Sequence, residues 1–201
     1  AIGADIMMVL DQCIPSTTPH DQAAAAMALT HRWALRSLAA RGDSPAALFG
    51  IVQGACHADL RRQSAAFLRA LPFDGLAIGG LAVGETQAER YAFTGLVTAE
   101  LPENLPRYLM GVGTPLDILE AVHRGVDMFD CIIPGQLAQR GVAFTARGKV
   151  QLRRLPQMIQ QHVAADGLGP LPVEIFEDRG FLVREADLAS VRGLEHLGRR
   201  V

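Results

Sequence analysis

The chain has 201 residues, of which 49% are hydrophobic, 20% charged and only 5% aromatic, with a formal net charge of −2. Against a usual domain of roughly 100–200 residues, this predicts one soluble domain with a sizeable core and argues against a disordered tail. No stretch approaches about 18 consecutive apolar residues, and no basic segment leads into an apolar one at Ala1-Ile2-Gly3-Ala4-Asp5, so neither a membrane span nor a secretion signal is expected. Cys13, Cys56 and Cys131 are widely spaced with no Cys-x-x-Cys, which fits neither a disulfide framework nor a zinc ribbon and predicts a reducing cytoplasm.

Short apolar runs alternate with longer amphipathic ones over the first 130 residues. Ile6 to Leu10 reads as a buried strand and Asp21 to Ala40 as a helix, ended near Gly42. The pattern repeats with Ala47 to Val52 and Ala58 to Leu71, punctuated by Gly75. It continues with Leu76 to Ile78 and Thr86 to Leu101. Arg107 to Met110 follows, then Thr114-Pro115 to His123, where Thr114 reads as a cap and Pro115 as the first helical residue. Beyond Gly125, Val126 to Phe129 closes the series. This succession predicts βαβ units and a parallel sheet, either an open doubly wound one or a (β/α)8 barrel.

The strand tips favour the barrel. Function in that fold gathers where carboxyl ends of strands converge, and the runs here end at Asp11, Gln53-Gly54, Gly79-Gly80-Leu81, Met110-Gly111 and Asp130. No Gly-x-Gly-x-x-Gly or Gly-Lys-Thr loop follows the first run. The units number about five where a complete barrel has eight and typically about 250 residues, so the expected fold is an incomplete barrel of this type.

After Asp130 the pattern changes. Val142 to Thr145 and Val150 to Leu152 flank Ala146-Arg147-Gly148-Lys149, which predicts a hairpin with a glycine turn. From Cys131 to Ala165 there is no acidic residue, while Arg140, Arg147, Lys149, Arg153 and Arg154 supply a local charge of +5. That stretch is either a phosphate-contacting surface or a solvated basic face. Residues 1–154 are expected to form the barrel part with its hairpin and 155–201 a divergent extension. In the extension, Pro156 to Ala165 suggests a short helix, Gly167 to Pro172 a loop, Val173 to Val183 a second hairpin and Glu185 to Leu197 a terminal helix.

Asp130, in Gly125-Val126-Asp127-Met128-Phe129-Asp130-Cys131, is a carboxylate at a strand mouth, suited to act as nucleophile or general acid/base; its other reading is a cap or turn carboxylate. Asp127, at the other end of the run, is expected to be structural. Asp11 can accept paired N–H groups such as those of a guanine edge, or cap a turn. Gln53 adds a donor and an acceptor, or bonds barrel backbone. The run Gly79-Gly80-Leu81-Ala82-Val83-Gly84-Glu85 offers backbone groups that a flat ligand can approach closely, or is simply a turn.

Leu10-Asp11-Gln12-Cys13, Phe49-Gly50-Ile51-Val52-Gln53-Gly54, the run from Gly79 to Glu85, Tyr108-Leu109-Met110-Gly111-Val112-Gly113 and the run from Asp127 to Cys131 occur together and in order. In this the chain resembles the bacterial tRNA-guanine transglycosylase (queuine tRNA-ribosyltransferase) family over residues 1–154. The resemblance implies exchange of guanine at wobble position 34 of GUN-anticodon tRNAs for preQ1, on the route to queuosine. It implies Asp130 as nucleophile at the ribose C1′, with Asp11, Gln53 and Gly80 on the purine edge. The Leu81 backbone would face the aminomethyl group with Glu85 behind it, and Met110 would pack on the base. Cys13 and Val83 would set a pocket volume of the preQ1 type. Arg140, Arg147 and Lys149 would meet tRNA phosphates.

Three departures from the family pattern stand beside this. The family carries three further βα units and a second essential aspartate ahead of the residue matching Ala1. Pro134-Gly135-Gln136-Leu137-Ala138-Gln139-Arg140 carries fewer basic residues than many members have there. The family's Cys-x-Cys-x-x-Cys and His zinc site has no match after Arg154, and His162 and His196 lack cysteine partners, so no zinc and no other cofactor is expected. The full-length family implies a homodimer. The alternatives are a non-catalytic tRNA- or base-binding homologue, an inactive fragment, or an unrelated barrel hydrolase; the last is disfavoured by the lack of a metal-ligand cluster at the strand tips.

Overall fold

The computed structural model describes residues 3–145 and 147–151. The short helix, second hairpin and terminal helix expected within 155–201, and the residues His162 and His196, lie outside the described residues. Ala1–Arg153 constitute one unit of the chain.

Five strands, β1 (Ile6–Met8), β2 (Ala47–Val52), β3 (Gly75–Ile78), β4 (Arg107–Leu109) and β5 (Met128–Phe129), pair in parallel in that same order. A doubly wound sheet reverses its strand order at a switch point. No reversal occurs here, so the sheet is an incomplete (β/α)8 barrel. Helices α1 (His20–Arg41), α2 (Ala58–Arg69), α3 (Gln87–Thr98) and α4 (Pro115–His123) alternate with the strands, and consecutive helices pack side by side. Because helices cover one face and the barrel interior the other, β2 and β3 are buried along nearly their whole length, which is why they read as unbroken apolar runs. Leu68 of α2, Leu76 and Ile78 of β3 and Val97 of α3 meet in one core.

Most boundaries have visible chemical causes. Thr86 caps α3, accepting from Glu89 N while the Glu89 side chain accepts from Thr86 N, a reciprocal pair that closes two otherwise free donors. Thr114 caps α4 with Pro115 in the first helical turn. Asp127 Oδ2 accepts from Arg107 N at 2.8 Å and lies at the starts of β4 and β5, the structural position expected of it.

Two local expectations, at the hairpin turn and at Gly75, are corrected, and one helix goes unforeseen. A short helix, α5 (Ile133–Gln139), occupies the stretch after Cys131. Pro134 and Gly135 hide it from periodicity, although proline is well placed in a first turn. In the hairpin, β6 (Val142–Thr145) pairs with β7 (Gly148–Gln151), Thr145 opposite Gly148, so Gly148 and Lys149 belong to the strand and not to the turn.

Gly75, expected to end a helix, opens β3 opposite Phe49, and a Cβ added there would strike the Phe49 ring. The glycine is required by packing. Gly75→Ala should lower unfolding stability by about 1–3 kcal/mol, read from urea denaturation; an unchanged midpoint would mean that the ring moves aside freely.

Candidate functional site

A cavity of about 320 Å³ opens among the carboxyl ends of the strands, lined by Asp11, Cys13, Gly79, Gly80, Ala82, Val83, Tyr108, Met110, Gly111 and Asp130. A larger recess of about 420 Å³ lies at the opposite ends, around Arg107 and Arg124. There Arg107 Nη2 donates to Leu101 O at 2.7 Å, and Arg124 is paired with Glu120 while lying over the Tyr91 ring. Arg107 is engaged in holding loops, although its buried Nε has no partner among the described residues, and Arg124 is engaged by Glu120 of α4. The first cavity gathers two carboxylates and the backbone of a glycine pair.

Asp130 follows β5 and is exposed. Its Oδ1 accepts from Tyr108 Oη at 2.6 Å and from Gly111 N at 2.7 Å, which fixes the carboxylate plane. No donor among the described residues is assigned to Oδ2. The cap reading fails, because α5 begins after Ile132 with no side-chain cap. A carboxylate held by one oxygen and open at the other can act as a nucleophile or as a general acid/base. Burial first, and then the bond to Asp130, push the Tyr108 phenol up to about 12, so it remains a donor at neutral pH.

Across the cavity, Asp11 Oδ2 accepts from Gln53 Nε2 at 2.6 Å. Gln53 is buried beneath the glycine pair: an added Cβ at Gly79 would lie 2.6 Å from Gln53 Nε2, and one at Gly80 2.6 Å from Gln53 Oε1. The two glycines are demanded by the side chain below them, and Gly80 also has φ +67°. Gln53 Oε1 has no hydrogen-bond partner among the described residues, a buried acceptor left open at a cost of about 1–3 kcal/mol. Gln53 N donates to Ser64 Oγ at 3.2 Å, and Ser64 Oγ lies 3.0 Å from His31 Nε2. Neither side chain follows its bland expectation: Asp11 caps no turn, and Gln53 bonds Asp11 instead of the barrel backbone.

Leu81 and Glu85 sit behind the loop. Glu85 is buried; its Oε2 accepts from Val83 N at 3.0 Å, and its Oε1 pairs with Arg90 at 2.7 Å. Arg90 Nε also donates to Leu81 O at 3.0 Å. Met110 and Val83 line the cavity wall, and Cys13 lies beside Asp11. Burial first, and then the Asp11 charge, raise the Cys13 thiol, keeping it protonated. Arg140, Arg147 and Lys149 are exposed and outside the cavity, Arg140 at the end of α5 and the other two on the hairpin, with Lys149 Nζ over the Phe144 ring. Among the described residues, no three or more His, Cys, Asp or Glu are grouped to hold a metal ion, and no helix is long and apolar enough to cross a membrane.

Sequence reasoning assigned no role to Tyr108, Arg61 or Arg90. Tyr108 lies inside a strand and reads as core. Arg61 shares helical spacing with buried Ser64, Ala65 and Leu68, and that periodicity alone puts its guanidinium on the inner face of α2. Arg90 is one turn into α3, beyond the reach of a strand-tip search.

The queuine tRNA-ribosyltransferase family model matches residues 1–161. Similar curated relatives carry the same name: one from Hydrogenovibrio crunogenus is 51% identical over 152 residues, 76% of this chain and 41% of the relative. Others from Pseudomonas aeruginosa, at 50%, and Thioalkalivibrio sulfidiphilus, at 52%, align over 153 residues with the same two shares. The chain thus spans about two-fifths of the length of these relatives.

The His31 ring, stacked on Phe67 and desolvated by burial, has its pKa lowered from 6.5 to about 4. The unfolded chain therefore takes up this proton first as pH falls. The associated stability is present above pH 6.5 and drains away as pH drops toward about 4. Urea denaturation across that window should show the loss, and His31→Gln should flatten it. An equal slope in the variant would assign the loss to other groups.

Proposed function

Because this chain belongs to the queuine tRNA-ribosyltransferase family, we propose that it carries the base pocket and nucleophile of a tRNA-guanine transglycosylase. The reaction exchanges guanine 34 of GUN-anticodon tRNAs for preQ1 in queuosine biosynthesis. Residues 1–154 supply the later units of the barrel and the tRNA-facing hairpin, and 155–201 a divergent extension. The observation that carries the reading is the pairing, in one cavity, of an anchored carboxylate with an open oxygen, Asp130, and an acceptor–glycine edge, Asp11 with Gly79-Gly80.

In this reading Asp130 Oδ2 attacks C1′ of the target nucleotide. The C1′–N9 bond breaks, its electron pair leaves with guanine, and a ribosyl ester to Asp130 forms. N9 of the incoming base then attacks C1′, and the ester bond returns its pair to Asp130. The N9 proton passes to the general acid/base that protonated the departing guanine, the role the resemblance gives to the family's second essential aspartate. The glycosyl ester conserves the energy of the bond it replaces, so the exchange invokes no cofactor. A cavity of about 320 Å³ is at the small end of ligand sites, suited to a base with its ribose outside. The target base therefore has to leave the anticodon stack.

Asp11 takes the N1–H and 2-amino edge of the purine, and Gly80 N–H serves its O6 side. Gln53, buried with its Nε2 on Asp11, joins the purine edge only if its second Nε2 hydrogen is turned toward the cavity. Met110 covers a face, and Cys13 and Val83 limit the volume to a preQ1-sized base. The Leu81 carbonyl is engaged by Arg90, so contact with an aminomethyl group requires that bond to open, with Glu85 retaining Arg90. Arg140, Arg147 and Lys149, free of acidic neighbours in sequence, supply charge for tRNA phosphates. The family resemblance further carries a cytoplasmic location and a homodimer of the whole protein.

Labelled guanine should enter a GUN tRNA, and Asp130→Asn should abolish exchange together with any denaturation-stable protein–tRNA adduct. Exchange surviving the substitution would sink the nucleophile assignment. Guanine bound but never exchanged by the unsubstituted chain would favour a base-binding module.

A further inference from the structure

Arg61 is fully buried, and no carboxylate lies within ion-pair distance of it among the described residues. Its guanidinium instead spans two strand-end turns. Nε donates to Ala55 O at 2.8 Å, Nη1 to Gly79 O at 2.7 Å and, at 3.5 Å, to Val52 O, and Nη2 to Gly80 O at 3.1 Å. Burying a cation without a counter-ion is costly, and an apolar side chain of like volume would avoid that cost. The planar fork is what an apolar group or a lysine lacks: it satisfies oxygens of both turns at once.

The consequence lies on the other side of those peptides. A trans peptide points its C=O and the following N–H in opposite directions. With the Gly79 and Gly80 carbonyls both drawn onto Arg61, the N–H groups of Gly80 and Leu81 are directed away from it. Gly79 and Gly80 line the cavity. In an extended strand, successive N–H groups alternate in direction; the φ of +67° at Gly80 is what turns two of them the same way. Neither N–H has a partner among the described residues. Successive N–H groups turned together form a concavity for an anionic or strongly polar oxygen, and a cation on the carbonyl side polarises each peptide and strengthens both donors. Burial pulls the Arg61 pKa down to about 10, which leaves it charged at neutral pH.

We infer that Arg61 is a positioning residue for base recognition, holding the peptides of Gly79 to Leu81 so that the Gly80 and Leu81 N–H groups face a purine carbonyl oxygen as a pair of donors. The inference rests on the base-exchange reading and adds a residue and a second donor to it.

The test uses the whole 201-residue chain with guanine as probe, in three forms: unsubstituted, Arg61→Lys and Leu68→Ala. Leu68 is buried on the same face of α2, about 10 Å further along, and reports destabilisation without loss of the fork. Arg61→Lys should weaken guanine binding at least about tenfold and move the Gly80 and Leu81 amide resonances, while Leu68→Ala keeps the affinity and both resonances. Should Arg61→Lys fail to fold, the unsubstituted chain still decides. Its Arg61 Nε–H should be a slowly exchanging resonance that shifts with the Gly80 and Leu81 amides as guanine is added. Undiminished affinity in Arg61→Lys, or an Nε–H unmoved by bound guanine, overturns the inference alone. No guanine binding by the unsubstituted chain contradicts the base-exchange reading and removes the inference with it.

Discussion

The side chain of Gln53 fills the volume into which a Cβ at Gly79 or Gly80 would project, and this exclusion propagates through the cavity. Glycine at both positions frees the backbone to adopt a positive φ at Gly80, which turns two carbonyls inward onto Arg61 and two N–H groups outward. The same amide reaches across to Asp11, fixing the acceptor at the far end of the edge. Gln53 is itself held from behind by Ser64 and His31. One buried amide therefore sets the spacing between the acceptor and the donors of the site.

A polar layer lies over an apolar one. Leu68, Leu76, Ile78 and Val97 supply the burial that stabilises the unit, while Gln53, Arg61, Ser64 and Glu85 are buried close to the mouth. Such groups add little net stability and are expensive when unpaired. Their value is geometric: Gln53, Arg61 and Ser64 are each locked by at least one bond at a strand end, and Glu85 by bonds to its own loop and to Arg90 of α3. The Glu85–Arg90 pair does for the Val83 side of the loop what Arg61 does for the Gly79 side. Asp130 is treated differently, anchored at one oxygen with the other left without a partner among the described residues, the geometry that the proposed nucleophile needs.

Much of this is legible in the residue order. Apolar runs in a parallel sheet covered on both faces stay apolar throughout, so the strands announce themselves, and Thr86 and Thr114 mark helix starts through side chains that can only help there. Strand ends point to Asp11, Gln53, Gly80 and Asp130, because a parallel sheet places all its carboxyl ends on one rim. What stays hidden depends on contacts distant in sequence. Tyr108 becomes a partner of Asp130 only once β4 and β5 are in register. Arg61 announces its inward direction by helical spacing, but not which carbonyls await it. The helix α5 is masked by Pro134 and Gly135, and the strand position of Gly148 follows from its pairing with Thr145, which no local pattern encodes.

In the proposed function, Asp11, set by Gln53, reads the amino edge of a purine. Calorimetric titration of the chain with guanine and with hypoxanthine, which lacks the 2-amino group, isolates that contact. Loss of one hydrogen bond to a charged acceptor should make hypoxanthine bind about 10–100-fold more weakly, and Asp11→Asn should erase most of the difference. Equal affinities for the two bases in the unsubstituted chain would contradict the account.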